Sequence, residues 1–115
     1  MARRSGECGQ AAVELVAIVP FLLGVTLLVA QLAVAGYALW SAGVAARAGA
    51  RAAYVGGEAE RAARSSLPAA LRGSASVRDR DAVTVRVEAP SLLPGVAGIP
   101  VTARAGIGVG DDLER

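Results

Sequence analysis

The chain reads Gly9-Gln10-Ala11-Ala12-Val13-Glu14-Leu15-Val16-Ala17-Ile18-Val19-Pro20 where a long uncharged segment begins. After Glu14 no formal charge occurs until Arg47. A carboxylate drawn towards the centre of a bilayer is costly, so we expect Glu14 to have a partner. Hydrolysis of the Gly9–Gln10 bond would create one, because it leaves a new α-ammonium at Gln10, one helical turn before Glu14.

Residues 15–40 predict a membrane-spanning helix. About 26 residues give about 39 Å of helix, and a bilayer has a hydrocarbon core of about 30 Å. Pro20 lies inside the run, and membrane helices tolerate the kink that a proline introduces. Tyr37 and Trp40 close the run as aromatic residues at an outer interface would, although ordinary packing explains them too. Arg3 and Arg4 precede it, which favours a cytoplasmic N-terminus by the positive-inside rule.

The helix is expected to continue beyond the membrane, from about Ala11 to Val55. The stretch after residue 40 is rich in Ala and has no Pro until residue 68, and Gly56-Gly57 is a plausible stop. Small residues recur four apart at 42/46, 45/49 and 46/50. Such a face lets helices approach closely, although so Ala-rich a stretch also produces these pairs by chance.

Residues 58–72 predict a second, shorter helical region. Glu60 and Arg64 are spaced for an ion pair on one face, and the opposite face carries Ala59, Ala63 and Leu67. Pro68 is expected to split the region into two pieces. We expect Ser65 or Ser66 to cap the second piece and Gly73 to end it.

The C-terminal part predicts two strands. Residues 83–88 alternate Val with polar residues, residues 89–98 read as a loop, and residues 101–109 alternate again. An isolated hairpin is marginal in water, so its apolar face must lie on a helix. Residues 73–82 read as loop, where Asp79 and Asp81 lack the further ligands of a metal site. The expected fold class is α+β: a long N-terminal transmembrane helix that continues into a small head, with a short helical patch and a C-terminal antiparallel β-hairpin.

Composition argues against several classes of function. All 12 basic residues are Arg, the formal charge is only +2, and the Arg residues are dispersed among acids, so we expect no nucleic-acid binding. There is no His and a single cysteine, Cys8, and no nucleophile, paired-carboxylate or phosphate-loop constellation stands out. We therefore expect neither an enzyme nor a cofactor or metal site.

The order of polar leader, Gly, Glu, apolar helix and small head resembles type IV pilin-like proteins. More narrowly, residues 9–55 resemble the TadE-like pseudopilins of tight-adherence (Flp-type) pilus systems. The match rests on the stretch from Gly9 to Pro20, followed by the Leu/Val-rich span and the Ala/Arg-rich helix. Leu15 departs from the aromatic residue that major Flp-type pilins and many relatives carry after the Glu. Together with the sizeable head, this argues against a major pilin of the very short kind and leaves a minor subunit open.

The resemblance implies a processing site, a location and partners. Residues 1–9 would be a cytoplasmic leader that a prepilin peptidase removes by cutting between Gly9 and Gln10. Residues 10–56 would be the membrane-spanning and extended helix, and residues 57–115 a small head outside the cytoplasmic membrane. The expected partners are the lipid bilayer, the prepilin peptidase and other pilin or Tad assembly subunits, with Glu14 pairing with the ammonium of a neighbouring subunit during assembly.

Two alternatives stay open at the level of the sequence. Ala33-Val34-Ala35 resembles a signal-peptidase site, so the product could be a secreted protein that begins at Gly36. The chain could also be a single-pass membrane anchor without a pilus role, which would keep its leader.

Overall fold

The computed structural model of the chain describes the backbone of residues 4–106 and the side chains of residues 9–106. Its elements follow the order α1 (Arg4–Tyr54), α2 (Ala59–Ser65), α3 (Ala69–Arg72), β1 (Ser76–Asp79), β2 (Val83–Ala89) and β3 (Ile99–Ala105). A long apolar N-terminal helix and a small antiparallel sheet make up an α+β fold, as the sequence predicts at this level. We call the part from α2 to β3 the head.

Helix α1 contains 51 residues. It ends at Tyr54, one residue before the predicted end, where Gly56 adopts a φ of +76° and the N–H of Gly57 bonds to the carbonyl of Ala52 at 2.8 Å. It begins at Arg4 rather than near Ala11, because the residues ahead of Gln10 contain no Pro or other strong stop signal. The prediction that residues 1–9 are a leader concerns cleavage and stays a prediction.

Strand β2 is the centre of the sheet, whose order is β1-β2-β3 with both pairs antiparallel. Val83, Val85 and Val87 of β2 are at most 2% exposed, which confirms the predicted half-buried strand. Strand β3 begins at Ile99 rather than Val101. The predicted continuation of β3 through residues 107–109 lies outside the described residues.

The predicted antiparallel pairing of β2 with β3 is confirmed, but the prediction that residues 73–82 form a loop is wrong, because β1 adds a third strand there. Ser76 pairs with Arg86, and Asp79 pairs with Val83. Only Val77 is a large apolar residue in this four-residue strand, so the alternation that marks a strand in sequence is missing. Pairing with the free edge of β2 determines the conformation instead.

The second helical region agrees with the sequence in all but its capping. Pro68 separates α2 from α3, and Gly73 follows α3. The predicted cap by Ser65 or Ser66 is wrong: their hydroxyls donate to the carbonyl of Ala62 at 3.0 and 2.9 Å and so close α2. The residue before α3 is Pro68, which has no side-chain acceptor, so α3 has no side-chain cap.

The core lies between one face of α1 and the head. The α1 side consists of small residues, Ala38, Ala42, Ala45 and Ala46, which are all 0% exposed. The head contributes Leu67 and Leu71 together with the valines of β2. The small-residue face predicted for close packing therefore packs against the head of the same chain.

Candidate membrane and assembly segment

Helix α1 has an N-terminal part that is exposed on all sides and a C-terminal part that packs against the head. Every residue from Gly9 to Thr26 is exposed. Leu27 and Ala30 are half-buried, and from Gln31 onward one face is covered by the head. We call residues 9–30 the bare segment. Most of its side chains are apolar. It belongs to the helical stretch Gly9–Tyr54, which is long and apolar enough to cross a membrane.

The predicted processing residues lie at the start of the bare segment. Gly9, Gln10 and Glu14 are all exposed, and a Cβ at Gly9 would meet nothing within 4 Å. Gln10 and Glu14 lie on the same side of α1 and are separated by about 6 Å along the axis. Gln10 and Glu14 therefore share one accessible face of α1 at the end remote from the head, whereas Gly9 lies about 140° around the helix from Glu14.

Glu14 has no ion-pair partner among the side chains from Gly9 to Gly106. Two ion pairs occur in that part of the chain, both on the exposed side of α2: Arg61 with Glu58 at 2.9 Å and Arg64 with Glu60 at 3.0 Å. Neither group can reach the bare segment.

Gln31 marks the boundary between the bare segment and the covered part of α1. Its side chain is 7% exposed. Its Nε2 donates to the carbonyl of Pro90 at 3.3 Å, and its Oε1 accepts from the N–H of Leu92 at 2.8 Å. A buried amide keeps its place when both ends are hydrogen-bonded. Gln31 thus attaches the connection between β2 and β3 to α1.

The two aromatic residues predicted for the interface lie beyond this boundary. Tyr37 and Trp40 are 54% and 64% exposed, and their ring centroids are 6.2 Å apart. They lie on the surface of α1 that the head leaves open. Both rings are therefore exposed, and their role at a membrane interface stays a prediction.

The charged surface of the head has an open groove of about 820 Å³ beside α2, which is lined by both acids and bases, including Glu58, Arg61 and Arg64. No group of three or more potential metal ligands occurs among the side chains of residues 9–106. Asp79 and Asp81 are exposed neighbours without a third acidic or sulfur ligand.

Comparison with known protein families, with curated proteins and with solved structures found no match for this chain. The functional argument therefore rests on the residues and their arrangement.

Sequence reasoning missed the role of Gln31. It is the single amide side chain between Leu15 and Ala46, and in a membrane helix an amide indicates a hydrogen-bonding partner. That signal could have predicted a contact. The partner could not be predicted, because it is the backbone of a segment about 60 residues later in the chain.

Proposed function

We propose that this chain is a minor pseudopilin-like subunit, similar to TadE-like proteins, that assists the assembly, initiation or anchoring of a Flp/Tad-type surface pilus. One observation carries the proposal: a bare apolar helical segment starts with Gly9 and Glu14 and ends where the chain's own head packs on the same helix. This arrangement agrees with the resemblance of residues 9–55 to the TadE-like family.

The length of the bare segment fits a bilayer. Residues 10–30 give about 31 Å of helix, close to a hydrocarbon core of about 30 Å. Their full exposure up to Thr26 is what lipid-facing side chains need, whereas a helix from the core of a water-soluble protein would be covered. The span predicted as residues 15–40 would immerse the end of the head, including the exposed carboxylate of Glu88, so we place it at residues 10–30.

This placement of the span sets the depth of the Glu14 carboxylate in the bilayer. With Gln10 at the inner surface, the Glu14 carboxylate lies about one turn inside the hydrocarbon edge. A prepilin peptidase that hydrolyses Gly9–Gln10 supplies the catalytic acids, and this chain supplies the scissile bond. The resulting Gln10 ammonium of a neighbouring subunit then neutralises Glu14, since a paired buried charge is far less costly than an unpaired one. The pairing would fix the register between subunits.

The mature N-terminus tests the processing step. The experiment is mass spectrometry of the membrane-extracted protein from strains with and without the prepilin peptidase. We expect a start at Gln10 that disappears without the peptidase. A start at Gly36 would make the chain a secreted protein, and an intact leader in both strains would leave a plain membrane anchor.

The packing of Gln31 favours the first outcome over secretion. A cut after Ala35 would remove Gln31 and the half-buried Val34 and Ala35, all of which contact the head. The alternative therefore requires a product that has lost part of its own core. The peptidase experiment distinguishes the pseudopilin-like subunit from a plain membrane anchor, because the anchor would keep its leader in both strains.

Substitution of Glu14 tests the assembly step. We expect Glu14→Ala to be processed but to abolish incorporation or pilus assembly, while Glu14→Asp retains part of it. Glu60→Ala is the matched control, because it removes an exposed carboxylate from the head. Unchanged assembly with Glu14→Ala would refute the pairing.

A further inference from the structure

The connection between β2 and β3 is an apolar loop at the membrane-facing end of the head. Residues 90–98 lie within a stretch from Ala89 to Ala103 that carries no formal charge. Leu92, Leu93 and Val96 are 44%, 39% and 55% exposed. Exposed large apolar side chains grouped in this way mark a surface that contacts something other than water.

The direction of β2 determines where the loop lies. Val83 at the start of β2 is adjacent to Gly49 of α1, and Pro90 after its end is bonded to Gln31. Strand β2 therefore runs antiparallel to α1, and the loop that follows it lies at the end of the head nearest the bare segment. Leu27 and Ala30, the half-buried residues of the bare segment, lie on α1 within about one turn before Gln31.

The loop is held in a defined shape. Gly95 has a φ of +79°, and the N–H of Val96 bonds to the carbonyl of Leu93 at 3.3 Å. Proline followed by glycine with positive φ is typical of a type II turn. The hydroxyl of Ser91 accepts from the N–H of Leu93 at 3.1 Å, and Leu92 bonds to Gln31. The apolar side chains are thus presented on a fixed turn.

We propose that Leu92, Leu93 and Val96 insert into the interface of the outer leaflet of the bilayer, so that the head has a second membrane contact beside the helix. This inference rests on the membrane span in the proposed function. The boundary of that span coincides with Gln31, to which the loop is attached, so the loop surface is continuous with the lipid-facing surface of α1. A charge-free tip suits lipid, since charged groups are costly at that depth.

The depth of insertion follows from the backbone. Loop N–H and C=O groups that are not bonded within the protein need water, so an irregular loop cannot enter the hydrocarbon region. Pro94 has no N–H, and the turn satisfies Val96. The side chains of Leu92, Leu93 and Val96 therefore enter at the level of the headgroups and the first acyl carbons, and the loop backbone stays hydrated.

Fluorescence from single labelled cysteines tests the proposal. The full chain carries Cys8→Ser and one of four substitutions, each labelled with an environment-sensitive dye in phosphatidylcholine/phosphatidylglycerol vesicles. Leu93→Cys and Val96→Cys report on the loop, and both sites are exposed, so the label leaves the core intact. Leu22→Cys reports on the span. Thr102→Cys, on the exposed outer face of β3, is the water control.

The quenchers distinguish the outcomes. We expect the dyes at 93 and 96 to lose intensity with a lipid that carries a nitroxide near its headgroup and to be largely protected from aqueous iodide. The dye at 22 should respond to a deep nitroxide, and the dye at 102 to iodide.

Three results would overturn the inference. If the dye at 22 responds to lipid quenchers while those at 93 and 96 respond to iodide, the loop lies in water and the span stands. Protection of 93 and 96 from both quenchers would indicate that a second copy or another protein covers the loop. Iodide quenching at 22 would refute the membrane span of the proposed function, and the loop contact with it.

Discussion

Gly49 lies where α1 and the head approach too closely for a side chain, and replacing it tests the docking. A Cβ at this position would lie 2.8 Å from Cγ1 of Val83, 3.1 Å from the carbonyl oxygen of Ala59 and 3.2 Å from Cβ of Ala63. Two of these neighbours are a backbone oxygen and a Cβ, which cannot move without shifting α2. Val83 is β-branched and stiff at χ1. A methyl group therefore forces the head away from α1.

The magnitude follows from two opposing terms. Overpacking of a well-packed site typically costs about 1–3 kcal/mol. The change from glycine to alanine in a helix interior contributes up to about 1 kcal/mol in the other direction. We expect Gly49→Ala to lower the free energy of unfolding of the head by about 1–2 kcal/mol. Gly43→Ala is the control, because a Cβ at position 43 would meet only Nη2 of Arg47 at 3.7 Å. This variant should gain the higher helix propensity of alanine without a clash.

Hydrogen exchange of the β2 amides measures the effect in the full chain in detergent micelles. A loss of 1.4 kcal/mol corresponds to about tenfold faster exchange where opening is fast compared with labelling. We expect faster exchange of β2 in Gly49→Ala and equal or slower exchange in Gly43→Ala. If both variants protect β2 to the same extent, α1 and the head do not approach at Gly49 and the docking described above is wrong.

Three further predictions concern the same interface. Leu67 is 2% exposed, so Leu67→Ala should lower the free energy of unfolding by about 2–5 kcal/mol and abolish the protection of the β2 amides from hydrogen exchange. The control Glu60→Gln breaks an exposed ion pair and should change the melting temperature little. Ser41 is 2% exposed and its hydroxyl has no hydrogen-bond partner within residues 9–106; Ser41→Ala should raise the free energy of unfolding by about 1 kcal/mol, and a lower melting temperature would contradict this. Gln31→Leu should leave β2 protection largely intact but accelerate proteolysis within residues 90–98, because the backbone of Pro90 and Leu92 loses its hydrogen bonds to Gln31. Unchanged proteolysis would show that these hydrogen bonds are not needed to hold the loop.

The local elements were predictable from the sequence because each carries a local signal. The uncharged run predicts the long helix, Gly56-Gly57 predicts its end, and the alternating valines predict β2. Strand β1 was not predictable, since a four-residue strand with a single large apolar side chain has no periodic signal. Its conformation depends on the edge of β2, which is a tertiary partner.

The candidate processing and assembly residues stay a prediction from local sequence. Gln10 and Glu14 are four residues apart, so their shared helical face follows directly from the sequence. The attachment of the loop to Gln31 depends on a strand running back along α1, and no local pattern encodes that path. The sequence also could not tell a lipid-facing small-residue face from one covered by the head, because Ala at positions 42, 45 and 46 suits both.

The two ends of the interface together determine how far the head lies from Glu14. At one end only glycine fits at position 49, and at the other the backbone of residues 90–92 needs the amide of Gln31. A shift of the head by one turn along α1 would place Ala45 in the glycine position and Leu27 in the amide position. The first change brings a clash, and the second removes the hydrogen-bond partner of the Pro90 C=O and the Leu92 N–H, both of them part-buried.

The docking register is thus fixed by two unlike contacts about 27 Å apart along α1. From Gln31 to Glu14 the helix rises about 25 Å, slightly less than the hydrocarbon thickness of a bilayer. If the loop tip rests at the outer interface and α1 runs close to the membrane normal, Glu14 lies just inside the inner interface. Under the proposed pairing, the depth of the Glu14 carboxylate then depends on how the head packs, and a change at Gly49 or Gln31 should affect assembly even though both lie far from Glu14.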